Sequence, residues 1–169
     1  MSPLKIVLAD NHPAVRKNLR LLLESERDIE VIAETNDGLE TIRAVQALQP
    51  DLLVLDIKMP LMSGLEVLQY LRNEKHPMGI IILSNHTEQL YVAAALRLGA
   101  DAFLTKSAGV DVLLEAIRIV QQRVSGDRTE RSARTLASNS GRGGLFWSES
   151  WVDPDFTGAN GPLSVEKTA

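Results

Sequence analysis

Two periods of apolar spacing alternate along the first 124 positions of the chain. "KIVLA" at the start is a continuous apolar run, as a strand buried on both faces requires. "PAVRKNLRLLLES" follows with Val15, Leu19, Leu22 and Leu23 on one helical stripe, and Pro13 suits a first helical turn. "IEVIAE" alternates in period two, the pattern of a half-exposed edge strand. A helix from "NDGLETIRAVQAL" comes next, with Asn36 or Asp37 as N-cap and Leu39, Ile42, Val45 and Leu48 inward. The strand "LLVLD", the loop "IKMPLMSG" and a helix from about Leu65 to Asn73 form the third unit. "GIIILS" and "EQLYVAAALRLG" form the fourth, its helix closing on Gly99. "AFLTK" and "VDVLLEAIRIVQQRV" form the fifth, striped by Val112, Leu113, Ala116, Ile117 and Val120.

Five strands alternating with five helices predict a parallel α/β sheet covered on both faces. Right-handed crossovers leave few topologies. The polar second strand belongs on an edge, which favours the doubly wound order 2-1-3-4-5. Residues 1–124 are thus expected to form one domain.

The character changes at Ser125. Residues 125–143, "SGDRTERSARTLASNSGRG", read as a flexible linker rich in Gly, Ser and Arg. Residues 144–169 concentrate both tryptophans and two of three phenylalanines but show no helical or strand period. Aromatic anchors are typical of interfaces, so Phe146, Trp147, Trp151 and Phe156 are candidate docking residues, for this domain, a twin or a partner.

Composition narrows the class. A net charge of −4 from 18 basic and 22 acidic residues disfavours nucleic acid as partner. No apolar stretch nears the roughly 20 residues that span a bilayer, and no signal-peptide pattern opens the chain. The absence of cysteine excludes disulfides and fits a cytoplasmic address.

The chemistry gathers at the strand ends. In an open α/β sheet, ligands bind where the strand order reverses, at the carboxyl ends. Here that point lies between the first and third strands, which end on Asp10 and Asp56. Two neighbouring carboxylates need a cation or a shared proton. Oxygen donors, with the Asn11 amide beside them, suit a hard ion, Mg²⁺ before zinc or copper. Ser84 and Lys106 end the fourth and fifth strands and add a hydroxyl and a point charge. A carboxylate nucleophile, a Mg²⁺ site, a hydroxyl and a lysine together suit a phosphoryl acceptor.

Four motifs then carry a family resemblance: "VLADNHPAVR", "LLVLDIKMPLMSGLEVL", "IIILSNHT" and "LGADAFLTKS". In this order and spacing, residues 4–123 resemble the receiver domain of two-component response regulators, the NarL/FixJ subfamily above all. The resemblance implies that Asp56 accepts a phosphoryl group from a histidine kinase or phosphotransfer protein. It also implies Mg²⁺ held by Asp10, Asn11, Asp56 and the Lys58 backbone carbonyl, with Ser84 and Lys106 gripping the phosphoryl group. Phe103 would be the switch aromatic, turning inward as the Ser84 hydroxyl moves to the phosphate. Lys58 and His86 match positions that tune dephosphorylation.

The sequence departs from the family in three places, the mildest being Ser107, which follows Lys106 where many receivers have proline though this subfamily often does without. Asn11 stands where a second acid is usual, and losing that charge costs about 1 to 4 kcal/mol of ion attraction at effective dielectrics from bulk water to 20. The subfamily's C-terminal helix-turn-helix is missing as well. The expectation is a stand-alone receiver, not an enzyme beyond its own phosphorylation and dephosphorylation. It would signal to an unknown output protein, or as a homodimer, around Tyr91, Phe103 and Val112. The rival is a phosphorylation-independent interaction module. A flavodoxin-like cofactor protein fits poorly, since "ADNHPAV" has no glycine to wrap a phosphate. Asn11 is also a candidate N-cap for the first helix, and His12 and His86 read as exposed loop residues.

Overall fold

The computed structural model describes residues 2–86 and 88–125, and the backbone of residues 145–147. In chain order the elements are β1 (Leu4–Ala9), α1 (Pro13–Leu23), β2 (Ile29–Thr35), α2 (Gly38–Leu48) and β3 (Leu52–Leu55). They continue with α3 (Gly64–Asn73), β4 (Gly79–Ser84), α4 (Gln89–Arg97), β5 (Ala102–Thr105), α5 (Val110–Val124) and β6 (Leu145–Trp147). The five strands β1–β5 pair in parallel in the order 2-1-3-4-5. The doubly wound expectation therefore holds, with the polar β2 at one edge.

Local chemistry sets the helix starts. Pro13 opens α1. Asp37 rather than Asn36 caps α2, accepting from the Glu40 N–H at 2.8 Å. Ser63 and Glu66 form a reciprocal capping box on α3. Past α4, Gly99 takes φ +97°, a left-handed turn that costs glycine least.

Side chains of each strand alternate between two apolar layers. One joins Ile6, Leu8, Val54, Ile81, Ala102 and Leu104 to α1 and α5. The other joins Val7, Ala9, Leu53, Leu55, Ile80, Ile82 and Phe103 to α2, α3 and α4. Full burial on both faces is what lets four strands read as unbroken apolar runs. Three residues placed inward by periodicity lie outward instead: Leu22, Leu39 and Leu48 are exposed. A helix lying on a sheet covers only part of its circumference. Leu23 takes the buried place on α1, and Ile42 and Val45 suffice for α2.

Beyond the five parallel strands the sheet gains a sixth. β6 pairs antiparallel with β5, setting Trp147, Phe146 and Leu145 opposite Ala102, Phe103 and Leu104. The expected irregular tail thus contains a strand. Three residues are too few to show period-two alternation, so no sequence signal marked it. The proposed linker and the docking candidates Trp151 and Phe156 lie outside the described residues.

Candidate functional site

β1 and β3 are neighbours at the reversal of strand order, so their carboxyl ends bring Asp10 and Asp56 together. Asp56 begins the loop after β3, its N–H donating to the Ala9 carbonyl at 2.8 Å. Asp10 continues β1, its N–H donating to Thr35 at 3.1 Å. Both are buried. Lys106 follows β5 and reaches across the end of β4. Its Nζ lies 2.5 Å from Asp10 Oδ2 and 3.0 Å from Asp56 Oδ2. A buried carboxylate pair is tolerable only when neutralised, and this ammonium halves the charge of the pair. The other Asp56 oxygen accepts the Ile57 N–H at 2.8 Å.

Ser84 closes β4 and is fully buried. Its Oγ accepts the His86 N–H at 3.1 Å, and as acceptor it keeps its own proton to donate. Lys58 is exposed in the loop after Asp56. His86 is half-buried, not a free loop residue: its ring lies 5.6 Å from that of Tyr91, and its Nδ1 3.7 Å from Glu88. Phe103 is fully buried in the layer under α3 and α4. It therefore cannot form part of an outer face with Tyr91 and Val112, both of which are half-exposed.

Two readings around β1 change. The N-cap of α1 is His12, without a side-chain cap, because a helix opening at Pro13 puts the cap one residue later than Asn11. His12 is exposed, as expected, but it contacts Asp10. Its N–H donates to Asp10 Oδ1 at 2.8 Å, and its Nδ1 lies 2.9 Å from the same oxygen. Arg16 adds a bond to the Asp10 carbonyl. Sequence reasoning missed both. The available signal was positional, since an Asp at a turn reaches the N–H two residues on.

For a hard divalent cation the residues fit. Asp10, His12 and Asp56 present ligand atoms all within 4.8 Å of one another. The Asn11 Oδ1 is buried and has no hydrogen-bond partner among the described residues, an orphaned acceptor of the kind a cation satisfies. Hard oxygen donors predominate, as Mg²⁺ prefers.

A doubly wound parallel sheet with an acid pair and a lysine at its switch point defines a narrow class of signalling domain. The sequence profile of the response regulator receiver domain matches residues 6–118, and the chain belongs to that family of two-component receivers. Among curated relatives, the nitrate/nitrite response regulator protein NarL of Escherichia coli is 38% identical over 136 residues, covering 79% of this chain and 60% of that protein. Its counterpart NarP is 39% identical over 117 residues, covering 69% and 54%. The chain thus spans little more than half the length of the curated relatives it matches. Among solved structures, the signal receiver domain of the putative response regulator NarL from Mycobacterium tuberculosis superposes with TM-score 0.70 at 28% identity, covering 72% of this chain and 98% of that one. The response regulator domain of Thermotoga maritima CheB gives TM-score 0.64 at 29% identity, covering 73% and 97%. Receiver domains are generally not enzymes. No helix among the described residues is long and apolar enough to cross a membrane.

Proposed function

We propose that Asp56 accepts a phosphoryl group from the phosphohistidine of a kinase or phosphotransfer protein, and that this cytoplasmic domain passes its state on through protein contacts. The observation that carries the reading is the Lys106 ammonium between Asp10 and Asp56 at the switch point of the sheet. A carboxylate oxygen of Asp56 attacks phosphorus in line. The new O–P bond forms as the P–N bond breaks, and the electron pair leaves on the imidazole nitrogen, which takes a proton. Lys106 is held where it can exchange its contact with Asp56 for one with a phosphoryl oxygen. Ser84 has a proton to donate to another, and losing the His86 contact then couples the site to the segment before α4.

Asp10, Asn11, Asp56 and the Lys58 carbonyl would hold Mg²⁺. When bound, the ion supplies neutralisation of the charge spread over the phosphoryl oxygens. His12 and Arg16 fix Asp10 for that task. Lys58 and His86 would set the lifetime of the phosphate. Phe103, already inward, would hold the switch in its buried arrangement.

The test is intact mass after incubation with a small-molecule phosphodonor and Mg²⁺. One phosphoryl group on the wild type and none on Asp56→Ala is the expected result. No adduct at high Mg²⁺ would replace this reading by the phosphorylation-independent interaction module, for which the Asn11 substitution is the specific support.

A further inference from the structure

One donor beside the acid pair is a nitrogen. His12 Nδ1 lies 2.9 Å from Asp10 Oδ1. Two neighbouring donors on one six-coordinate ion stand about 3 Å apart when each bond is about 2.1 Å, so the pair already has the spacing of a coordination edge. The donor atoms of Asp10, His12 and Asp56 lie within 4.8 Å of one another. Opposite donors of such an ion stand about 4.2 Å apart, so a small rotation of one side chain closes the set. The imidazole can make it, because the His12 side chain is 60% exposed where that of Asp10 is 5% exposed.

We propose that His12 is a metal ligand, and that it tips this site towards a first-row transition-metal dication such as Mn²⁺ at the expense of Mg²⁺. The assignment rests on the metal site of the proposed function and adds its selectivity.

Three observations support it. The first is the donor set. Asn11 brings an amide oxygen, so the end of β1 supplies a single anionic ligand, Asp10. Mg²⁺ is held by charged and neutral oxygens, whereas first-row transition metals take imidazole readily. A site short of one negative charge but carrying a nitrogen therefore loses Mg²⁺ affinity and keeps that for Mn²⁺.

The second is the turn. The His12 N–H donates to Asp10 Oδ1 at 2.8 Å, so the backbone keeps this residue beside that oxygen whichever way the ring turns. The buried Asn11 Oδ1, with no hydrogen-bond partner among the described residues, stands on the same turn as a further oxygen donor.

The third is the division of Asp10. Its Oδ2 faces the Lys106 ammonium and its Oδ1 faces His12. An ion held by Oδ1 and Nδ1 replaces the contact between ring and carboxylate and leaves the lysine in place. The neutral ring then carries its proton on Nε2.

The experiment uses untagged full chain, wild type and His12→Ala, which keeps the backbone N–H bond to Asp10. Calorimetry gives the affinities for Mg²⁺ and Mn²⁺ as chloride salts. Electron spin-echo modulation of the Mn²⁺-loaded wild type reads ¹⁴N coupling from a bound imidazole, and this measurement needs no variant to fold. The expected result is a ¹⁴N signal in wild type that His12→Ala abolishes, with the Mn²⁺-to-Mg²⁺ affinity ratio falling about tenfold or more. Absence of the signal from wild type would overturn the proposal. So would an equal loss of both ions in His12→Ala, since the ring then only orients Asp10. Mass analysis after phosphodonor treatment with each ion separates the two readings. A nitrogen signal without an Asp56 adduct keeps the ligand assignment and removes the phosphoryl acceptor. An adduct without the signal does the reverse.

Discussion

Lys106 Nζ lies closer to Asp10 than to Asp56, 2.5 Å against 3.0 Å, so the lysine neutralises Asp10 at least as much as Asp56. All three side chains are nearly buried, with relative exposures of 10%, 5% and 4%. Lys106→Met therefore leaves two adjacent carboxylates without their counter-ion. Removing one partner of a buried charge cluster costs about 3 kcal/mol or more. Urea unfolding at neutral pH in the presence of a chelator should show that loss. Added Mg²⁺ should recover more stability in the variant than in wild type, because the ion takes over the neutralisation.

Asn11→Asp restores a formal charge beside the Asp10–Asp56 pair. Its amide oxygen is buried without a partner among the described residues, so a carboxylate of the same shape meets the same space. Mg²⁺ affinity should rise by ten- to a thousandfold, the equivalent of about 1 to 4 kcal/mol. Titration calorimetry measures it directly. The ion-free variant should be less stable than wild type, since three acids then share one ammonium.

How far the sequence foretold these relationships depends on their range. Strand ends on Asp10, Asp56, Ser84 and Lys106 were legible because buried parallel strands are apolar throughout, so each polar terminus stands out. The strand order followed from the polarity of β2. What lay hidden was decided by geometry over a few residues. His12 reaches Asp10 through a turn that no periodicity records, and the cap of α1 shifted by one residue with Pro13. Phe103 could be assigned to β5 but not to its inner layer, since side choice in a four-residue strand depends on which helices cover it. β6 was invisible because its pairing partner, not its own pattern, makes it a strand.

Away from the site, Asp28 just before β2 accepts two bonds from the Arg118 guanidinium of α5, at 2.5 and 2.7 Å. Those bonds are the largest cause holding its carboxyl below the ordinary value. A depressed folded pKa contributes stability that is present above the unfolded value of about 3.9 and is lost as pH falls through the lower folded value. Arg118→Gln should therefore lower the melting temperature slightly at pH 7. The gap to wild type should narrow below pH about 4 and close once Asp28 is protonated in both states. Being exposed, the pair should also weaken in high salt.

Gly64 ties the start of α3 to Asp56. Its N–H donates to the Ile57 carbonyl at 2.7 Å, and a Cβ placed on it would fall 2.0 Å from the Asp56 carbonyl oxygen. Backbone cannot rotate aside as a side chain can, so Gly64→Ala must displace either α3 or Asp56 itself. Overpacking of this kind costs typically 1–3 kcal/mol. The two responses separate experimentally. If α3 yields, stability falls by that amount while phosphoryl uptake keeps its wild-type rate. The expected outcome is the other: Ser63 and Glu66 lock the helix start through their capping box, so the loop carrying Asp56 moves instead. Phosphodonor kinetics should then slow at least tenfold, since in-line attack tolerates little misplacement. Gly79→Ala is the control. There the atoms nearest the added Cβ belong to the Val120 and Leu52 side chains, so it should cost stability without changing the uptake rate.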